Sequence, residues 1–486
     1  MDEKLEVNLN FIDGEWVESE KGDTFEVRNP ADVEDEICLF QSSTKKDLDR
    51  AVKAALGSQE QWENFSGPER GKLLRKAASL MEERKEELTE TLSREEGKTI
   101  SEASGEVQRA IDIFYYYAEK ARELGGEIKA STERERGLYT IKEPLGVVGL
   151  ITPWNYPIAI PAWKMAPALA AGNTVVIKPA SLALNVCKKL VECLDDAGIP
   201  TGVVNFVTGS GSTVGKAMTG HEDIDAISFT GSRKVGELVC KKATESGKRV
   251  QTEMGGKNPM LIMKDAEIEK AAEMVKNGVF GVTGQACTAT SRAIVHEEIY
   301  DEFVEELERK ASSIEIGPGM EDPDMGPQVS EEELNSTLGY IEIGKQEGAQ
   351  LVCGGKALKE GEYSKGYFVE PTVFRDVDPE MKIAREEIFG PVVAVIEAED
   401  YEEAVSIAND VDYGLSASIV TEDLSKAHHF VEDIESGVVK INEKTTGLEL
   451  HVPFGGLKAS SSETWREQGD AGLEFYTISK TVYLNY

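Results

Sequence analysis

The sequence is poor in cysteine, histidine and positive charge, and each shortage excludes a class of function. Its 486 residues include six cysteines without a Cys-x-x-Cys pair and five histidines without metal-ligand spacing, so neither a disulfide framework nor a metal site is expected. No apolar run reaches the ~20 residues of a membrane helix. The N-terminus lacks the basic and apolar regions of a secretory signal. The chain is therefore expected in the cytoplasm.

The shortage of positive charge is large. Lysine and arginine total 53 against 89 aspartates and glutamates, which gives a formal net charge of −36. Contacts to phosphate need clustered cations, so neither nucleic acid nor an anionic membrane is an expected partner. Strong acidity also keeps a protein soluble in concentrated salt, which favours a salt-adapted host. An ordinary solvated acidic surface is the alternative interpretation.

The order of apolar and polar runs predicts an α/β protein. The length allows two or three domains with cores of their own. A helical pattern covers Lys45 to about Leu124, and strand-like runs then alternate with helical runs over residues 147–254 and again after Pro259. Such alternation predicts parallel sheets covered by helices. Gly317–Val329, rich in Gly, Pro and Asp, is predicted to be an exposed loop, and Phe475–Leu484 a terminal strand.

Cys287 lies in Phe280–Arg292, a stretch whose small and hydroxylated residues leave its sulfur accessible. A thiol reacts as the thiolate, and a free cysteine has a pKa of roughly 8.5, so a nucleophilic cysteine needs a lowered pKa or a neighbouring base. Most free cysteines are instead small buried hydrophobes. The stretch alone leaves both interpretations open.

Two upstream motifs contain groups that a cysteine nucleophile needs. Asn155, between the prolines of Pro153–Pro157, offers a side-chain amide, and Glu253, beside the glycine pair of Gln251–Pro259, offers a carboxylate. An ordinary turn is the alternative role of Asn155, because Trp-Asn-Tyr-Pro is a plausible loop. An exposed strand end is the alternative for Glu253.

A third motif, Gly231–Gly236, joins a predicted strand to a predicted helix. In that setting the backbone N–H groups and the positive end of the helix dipole can receive a pyrophosphate. The spacing differs from the Gly-x-Gly-x-x-Gly of a Rossmann fingerprint.

These motifs, in this order, resemble the aldehyde dehydrogenase superfamily, whose members oxidise aldehydes to acids with NAD or NADP. The resemblance covers nearly the whole chain and continues through Phe229–Ser232, Glu386–Pro391 and Pro453–Gly456. It implies an α/β fold with a Rossmann-type cofactor domain, an α/β catalytic domain and a β oligomerisation arm.

The resemblance also implies domain limits. Residues 1–125 and 146–255 are expected to form the NAD(P)-binding domain, and residues 256–450 the catalytic domain. Residues 126–145 and 465–486 are expected to form the arm of a homo-oligomer, either a dimer or a tetramer.

For the chemistry, the resemblance implies that Cys287 attacks the aldehyde while the Asn155 amide and the Cys287 N–H stabilise the oxyanion. Glu253 would activate the water that hydrolyses the thioester, and Glu467 matches a second family carboxylate that assists this base. Members that transfer the acyl group to coenzyme A typically lack the Glu at the Glu253 position, so its presence favours hydrolysis. A coenzyme A-acylating relative and a catalytically silent scaffold are the competing functions.

The cofactor residues implied by the resemblance are Trp154, Lys178, Ser181, Gly231, Ser232, Gly236, Glu387 and Phe389. Members that prefer NAD commonly have a Glu three residues after the Lys matched by Lys178, where this chain has Ser181. Losing that carboxylate removes repulsion against a 2′-phosphate, and Lys178 supplies a cation. NADP is therefore expected to serve at least as well as NAD.

The run from Phe454 to Glu467 is longer than the usual family spacing. Together with Thr445–Leu448 it resembles the branch that oxidises 2-ketoglutarate semialdehyde (2,5-dioxopentanoate) in sugar or sugar-acid catabolism. The carboxylate of that substrate needs a cation or several donors. The residues at or near the family pocket positions are Tyr156, Trp163, Lys164 and Leu448. Only Lys164 is charged, and the sequence does not show where its side chain points.

Other semialdehydes, such as those of succinate and glutarate, are alternative substrates. An apolar pocket formed by Tyr156, Trp163 and Leu448 would instead favour uncharged aldehydes.

Overall fold

The structure of the chain is a computed structural model that describes residues 5–486. The strands are β1 (Val7–Asn8), β2 (Asn10–Ile12), β3 (Glu15–Val17), β4 (Thr24–Asn29), β5 (Asp32–Gln41), β6 (Ile128–Lys129), β7 (Arg136–Pro144), β8 (Val147–Ile151), β9 (Thr174–Lys178), β10 (Val204–Phe206), β11 (Ala226–Thr230), β12 (Arg249–Glu253), β13 (Asn258–Ile262), β14 (Thr290–His296), β15 (Gln350–Cys353), β16 (Thr372–Arg375), β17 (Val392–Ala398), β18 (Tyr413–Gly414), β19 (Ser416–Val420), β20 (Val438–Ile441), β21 (Leu457–Lys458) and β22 (Thr477–Asn485).

The α-helices are α1 (Lys45–Glu63), α2 (Gly67–Glu83), α3 (Lys85–Glu96), α4 (Ile100–Lys120), α5 (Ala159–Ala171), α6 (Asn185–Ala197), α7 (Lys216–Thr219), α8 (Arg233–Glu245), α9 (Ile268–Phe280), α10 (Tyr300–Ser312), α11 (Glu331–Glu347), α12 (Lys382–Arg385), α13 (Tyr401–Asn409), α14 (Leu424–Asp433) and α15 (Gly469–Phe475). Short 3-10 turns cover Gly281–Gly284, Glu297–Ile299, Gly319–Glu321 and Gly361–Lys365, and Gly211–Gly215 forms a π turn. No helix in this described range is long and apolar enough to cross a membrane.

One seven-stranded sheet has the order β12-β11-β8-β9-β10-β2-β3. The strands from β12 to β10 are parallel, and the hairpin β2–β3 extends the sheet in antiparallel pairing. Along β9, Val175 and Ile177 enter one hydrophobic core while Val176 enters the other. The sheet is thus buried on both faces, which explains the continuous Val and Ile runs.

A second seven-stranded sheet has the order β15-β16-β17-β14-β13-β19-β20, parallel except for the edge strand β15. Its interior strand β13 also sends alternate residues to two cores: Leu261 to one, Met260 and Ile262 to the other. The first sheet ends its strand β12 at Glu253, and the second sheet begins its strand β14 at Thr290, just after Cys287. The carboxyl ends of parallel strands are the usual place for a ligand site.

A separate antiparallel sheet joins β6, β7 and the terminal strand β22, which pairs with β7 from Thr477↔Pro144 to Asn485↔Arg136. It carries exposed apolar side chains, including Ile128 at 88% and Tyr483 at 67% exposure. Apolar surface of this kind is typical of a contact with another chain.

The alternation of strands and helices predicted from the sequence is confirmed, with two corrections. The terminal strand begins at Thr477, because Phe475 still belongs to α15. The segment Gly317–Val329 is not an exposed loop throughout, since residues 325–329 are buried. The predicted domain limits stay a prediction, and residues 1–4 of the first segment lie outside the described residues.

Candidate active site

The Cys287 loop connects α9 to β14 and begins with an unusual backbone. Val282 and Thr283 have φ angles of +52° and +55°, a conformation that β-branched residues rarely adopt. The Val282 N–H donates to Glu102 Oε1 at 2.6 Å, and Gln328 Nε2 donates to the Thr283 carbonyl at 3.1 Å. Strain of this kind persists only where surrounding contacts fix it, and it is concentrated at functional sites.

The loop is held from below by the strand that follows the glycine pair. Asn258 Nδ2 donates to the carbonyls of Cys287 and Ala289, each at 2.8 Å. A Cβ on Gly256 would lie 2.9 Å from the Cys287 carbonyl oxygen. The glycine in the sequence motif therefore permits the close approach of the two backbones.

A cavity of about 250 Å³ opens above Cys287. Seven of the predicted site residues line it: Trp154, Asn155, Gly231, Ser232, Cys287, Glu387 and Phe389. The predicted nucleophile, the predicted oxyanion donor and most of the predicted cofactor residues thus share one space. Residues 5–486 contain no group of three His, Cys, Asp or Glu side chains that could hold a metal ion.

Asn155 is fixed at both ends. Its Nδ2 donates to the Gln285 carbonyl at 2.8 Å, and its own carbonyl accepts from Lys98 Nζ at 2.8 Å. Lys98 is itself buried, pairs with Glu106 at 2.6 Å, and lies 4.5 Å from the centroid of the Tyr156 ring. Donors held in advance in this way can stabilise a developing charge without reorganisation.

The thiol of Cys287 is surrounded by negative charge. Burial and then the carboxylates of Glu387, Glu253 and Glu467 raise the pKa of Cys287 to about 12. At neutral pH the sulfur of this structure is therefore protonated, and its use as a nucleophile requires a proton acceptor or a nearby positive charge.

Glu253 ends β12 directly below the cavity wall formed by Met254 and Gly255. Its Oε2 accepts from the Gly456 N–H at 3.1 Å, and its Oε1 accepts from Ser461 Oγ at 3.2 Å. Burial raises the pKa of Glu253 well above its usual value, and the Glu467 carboxylate raises it further. The carboxylate therefore binds a proton more strongly than an exposed glutamate does.

The direction of Lys164, left open by the sequence, is clear in the structure. Its Nζ donates to Ser228 Oγ at 2.7 Å and to Glu467 Oε1, and both ions of the pair are buried. Glu467 Oε2 has no hydrogen-bond partner in the described chain. Lys164 is the counterion of Glu467 and is not free to bind a substrate carboxylate, contrary to the possibility raised by the sequence.

Glu387 and Phe389 form the opposite wall of the cavity. Glu387 Oε1 accepts from the Gly256 N–H at 3.0 Å, and burial raises the pKa of Glu387 to about 7. A Cβ on Gly255 would collide with this carboxylate. Phe389 adopts a φ of +60° and packs edge-on against Trp154, with ring centroids 5.4 Å apart.

The predicted phosphate motif begins α8. Ser232 is the N-cap of this helix, and its side chain makes no capping hydrogen bond. Gly236 lies in the first turn, where its N–H donates to the Ser232 carbonyl at 2.9 Å. The first N–H groups of the helix and its dipole are thus directed toward the end of the cavity that Gly231 and Ser232 line, as an anion site requires.

A second cavity, of about 760 Å³, lies between α8 and the turn at Gly211–Gly215. Its walls include Phe229, Val235 and Leu238. Val235 and Leu238 are 45% and 62% exposed, which leaves an apolar surface beside the helix that begins with the phosphate motif. The sequence interpretation did not include these residues, although two large apolar residues three positions apart on a predicted helix were visible.

Lys178 and Ser181 lie outside the first cavity. Lys178 Nζ donates to the Pro179 carbonyl at 2.7 Å, and burial lowers the pKa of Lys178 to about 8. Its side chain runs beside Gly215, which lines the second cavity. Ser181 Oγ donates to the Gly209 carbonyl at 3.4 Å. The first cavity is completed by residues that the sequence interpretation missed: Met254, Glu333, Ser336, Tyr340 and Ile388.

The fold and the cavity around Cys287 agree with the comparisons with known proteins. The model of the aldehyde dehydrogenase family matches residues 16–482, and the chain belongs to this family. It is therefore an oxidoreductase that acts on aldehydes, and the predicted family is confirmed.

Individual relatives are similar over nearly their whole length. The chain is 61% identical to an alpha-ketoglutarate semialdehyde dehydrogenase of Haloferax volcanii, over 98% of this chain and 99% of the relative. It is 50% identical to an alpha-ketoglutaric semialdehyde dehydrogenase of Bacillus subtilis, over 98% of each. The crystal structure of a betaine aldehyde dehydrogenase from Staphylococcus aureus in complex with NAD+ is 37% identical, with a TM-score of 0.95 over 99% of this chain and 95% of that one. The predicted fold is confirmed.

The raised pKa of Cys287 predicts a steep pH dependence of its alkylation in the protein without ligands. Below the pKa, the thiolate fraction grows about tenfold per pH unit, so the rate of reaction with iodoacetamide should still be rising between pH 8 and pH 10. Peptide mapping by mass spectrometry distinguishes Cys287 from the other cysteines. A rate that reaches its plateau below pH 8 would contradict the surroundings described for this thiol.

Proposed function

We propose that this chain oxidises 2-ketoglutarate semialdehyde to 2-ketoglutarate with NAD(P), through a thiohemiacetal and a thioester on Cys287. The observation that carries the proposal is the single cavity in which Cys287, Asn155 and Glu387 meet. The substrate is supported by the end-to-end similarity to two relatives named for this semialdehyde.

In the first half of the reaction, the Cys287 thiol loses its proton to solvent and its sulfur forms a bond to the aldehyde carbon, while the electron pair of the C=O π bond moves to the oxygen and makes it an oxyanion. The Asn155 side-chain amide and the Cys287 N–H are the donors for this charge, and one such donor can contribute ~3 kcal/mol. When bound, the nicotinamide cofactor supplies an acceptor for the hydride that leaves the same carbon. The acyl group then remains on Cys287 as a thioester.

In the second half, Glu253 removes a proton from the water that attacks the thioester carbon. The carbon–sulfur bond breaks, and the acid and the Cys287 sulfur are released. The raised pKa of Glu253 increases its proton affinity, as the role of a general base requires. The presence of Glu253 also supports hydrolysis over transfer of the acyl group to coenzyme A.

The residues around the two cavities fit a nicotinamide dinucleotide. The first N–H groups of α8, with Gly231 and Ser232, would hold the pyrophosphate, and the Glu387 carboxylate would accept from ribose hydroxyls. The apolar second cavity beside α8 suits a flat aromatic base. Lys178 and Ser181 would lie at the adenine ribose, and no carboxylate stands at the Ser181 position to repel a 2′-phosphate.

An uncharged aldehyde is the second candidate substrate. Trp163 and Phe454 pack together with ring centroids 6.2 Å apart, and both are buried. A pocket lined by these rings would accept an aliphatic chain.

The sheet of β6, β7 and β22 is proposed to be the oligomerisation arm of a dimer or tetramer, because its exposed apolar side chains would be covered there. The domain limits proposed above place this arm in residues 126–145 and 465–486. A cytoplasmic location stays a prediction from the sequence.

Replacing Glu253 by Gln should separate the two halves of the reaction. The variant should release about one equivalent of reduced cofactor in a burst, followed by a steady rate lower by about 10²-fold or more, because the thioester is no longer hydrolysed. Stopped-flow absorbance of the reduced cofactor measures both phases. Cys287→Ser is the control and should give no burst. A Glu253→Gln enzyme without a burst would instead assign Glu253 to thiol activation.

Replacing Ser181 by Glu should lower the use of NADP selectively. The new carboxylate would repel the 2′-phosphate, so the ratio of kcat/KM with NADP to kcat/KM with NAD should fall by about tenfold or more. Ser181→Gln has a similar size without the charge and should change the ratio much less. If both variants keep the wild-type ratio, cofactor choice is made elsewhere.

The substrate is tested on the wild-type enzyme with aldehydes of equal chain length. We expect kcat/KM for 2-ketoglutarate semialdehyde to exceed that for pentanal by about tenfold or more, since only the former carries a carboxylate. Initial rates with saturating cofactor give both values. A preference for pentanal would refute the proposed substrate and favour the apolar pocket.

A further inference from the structure

The proposed substrate carries a carboxylate, but the charged groups that act on Cys287 are themselves carboxylates. Glu253, Glu387 and Glu467 all raise the pKa of the thiol, so they would repel a second anion. Lys164 is occupied by Glu467, and Lys98 is occupied by Glu106. Neither of these two lysines is therefore free to bind the substrate carboxylate.

Arg109 of α4 has the required properties. It is partly buried, its Nη2 donates to Gln468 Oε1 at 2.7 Å, and its Nη1 donates to the Leu448 carbonyl. Among the described residues, no carboxylate oxygen lies within 4.0 Å of its guanidinium. Glu449 and Asp112 act on its pKa only at longer range, and burial lowers that pKa. Arginine nevertheless remains charged in proteins.

Two chain segments connect Arg109 to the reacting centre. Thr445 Oγ1 donates to the carbonyl of Thr288, the residue after Cys287, at 2.7 Å. Three residues later the Leu448 carbonyl accepts from Arg109, and three residues span at most about 10 Å. On the other side, Gln468 follows Glu467 directly in the chain.

The Tyr156 side chain is a neighbour of both groups. Its phenol is within electrostatic reach of both the Cys287 thiol and the Arg109 guanidinium, and it follows Asn155 in the chain. The end carbons of an extended five-carbon chain lie about 5 Å apart, from C–C bonds of about 1.5 Å. A substrate bound to Cys287 and extended past Tyr156 would bring its carboxylate toward Arg109.

We propose that Arg109 is the specificity-determining residue that binds the carboxylate of the semialdehyde. The inference rests on the proposed function and adds the group that recognises the substrate class. The guanidinium has five N–H donors, and its present acceptors, an amide and a backbone carbonyl, are neutral. A carboxylate accepts two parallel charge-assisted hydrogen bonds from the same fork, which are stronger than hydrogen bonds between neutral groups.

If Arg109 had a purely structural role, its variants would change the kinetics in a different way. Arg109 holds the Leu448 carbonyl, and Lys440 holds the same loop from its own side, with Nζ donating to the carbonyls of Thr446, at 2.7 Å, and Gly447. If Arg109 only fixes the loop, the Arg109 and Lys440 variants should affect charged and uncharged aldehydes alike.

The test compares Arg109→Met, Arg109→Lys and Lys440→Met with the wild type on 2-ketoglutarate semialdehyde and pentanal. We expect Arg109→Met to lower the ratio of the two kcat/KM values by at least about tenfold, mainly through KM. Arg109→Lys should keep part of the preference, because the charge remains without the fork. Lys440→Met should lower both values in proportion and leave the ratio unchanged.

Glutarate, a five-carbon dicarboxylate that cannot be oxidised, gives a second measurement. It should inhibit pentanal oxidation by the wild type and inhibit Arg109→Met at least about tenfold more weakly. A wild-type preference that survives in Arg109→Met, or that Lys440→Met removes equally, would overturn the assignment of Arg109 while leaving the proposed substrate in place. A wild type that prefers pentanal would refute the proposed substrate itself, and the assignment of Arg109 with it.

Discussion

The placement of buried negative charge around one thiol is the constraint on which the rest of this site depends. The carboxylates of Glu253, Glu387 and Glu467 each disfavour the thiolate of Cys287. Each is held separately: Glu387 by the Gly256 N–H, Glu253 by the Gly456 N–H, and Glu467 by Lys164. Chemistry that begins with a thiolate must therefore transfer the thiol proton or bring positive charge into the cavity.

The Cys287 loop depends on contacts from parts of the chain that are far apart in sequence. Its entry is held by Glu102 of α4, its middle by Asn155 and its exit by Asn258 of β13. The Glu102 carboxylate also closes the capping box of α4, since its Oε2 accepts from the Thr99 N–H at 3.1 Å. One side chain thus begins a helix and fixes the strained backbone at Val282, so the position of the thiol is set by helix packing as well as by the loop itself.

The sequence was sufficient to predict the α/β alternation, the family and the motifs that meet in the first cavity, because these depend on local period and on residue type at fixed spacing. It was insufficient where the outcome depends on a distant partner. Gly317–Val329 has the composition of an exposed loop, yet a Cβ on Gly326 would collide with the Gly97 carbonyl. Residues 325–329 are buried, with Gly326 against the turn before α4, and composition carries no signal of that contact. The roles of the site residues stay predictions.

The direction of Lys164 could not be read from the sequence for a related reason. Its ion pair with Glu467 joins residues 303 positions apart, and a buried lysine takes the counterion that the fold supplies. The apolar walls of the second cavity were visible as Val235 and Leu238 on a predicted helix. The second cavity forms only because the turn at Gly211–Gly215 lies opposite them, and the sequence does not show that the two segments are neighbours. Specific pairing across the fold, and not residue type, was the missing information in both cases.

The surface carboxylates that give the net charge of −36 and the Arg109 guanidinium would act on an anionic substrate at different distances. Repulsion from surface carboxylates is screened within about 8–10 Å at physiological ionic strength and within about 3 Å at 1 M salt. A bidentate contact between a partly buried guanidinium and a carboxylate acts at hydrogen-bond distance, where salt screens it much less. Increasing salt therefore weakens the repulsion between the surface carboxylates and the substrate more than it weakens the contact between Arg109 and the substrate carboxylate. An acidic surface and an anionic substrate are thus compatible in one protein, provided that the recognising cation lies inside the pocket.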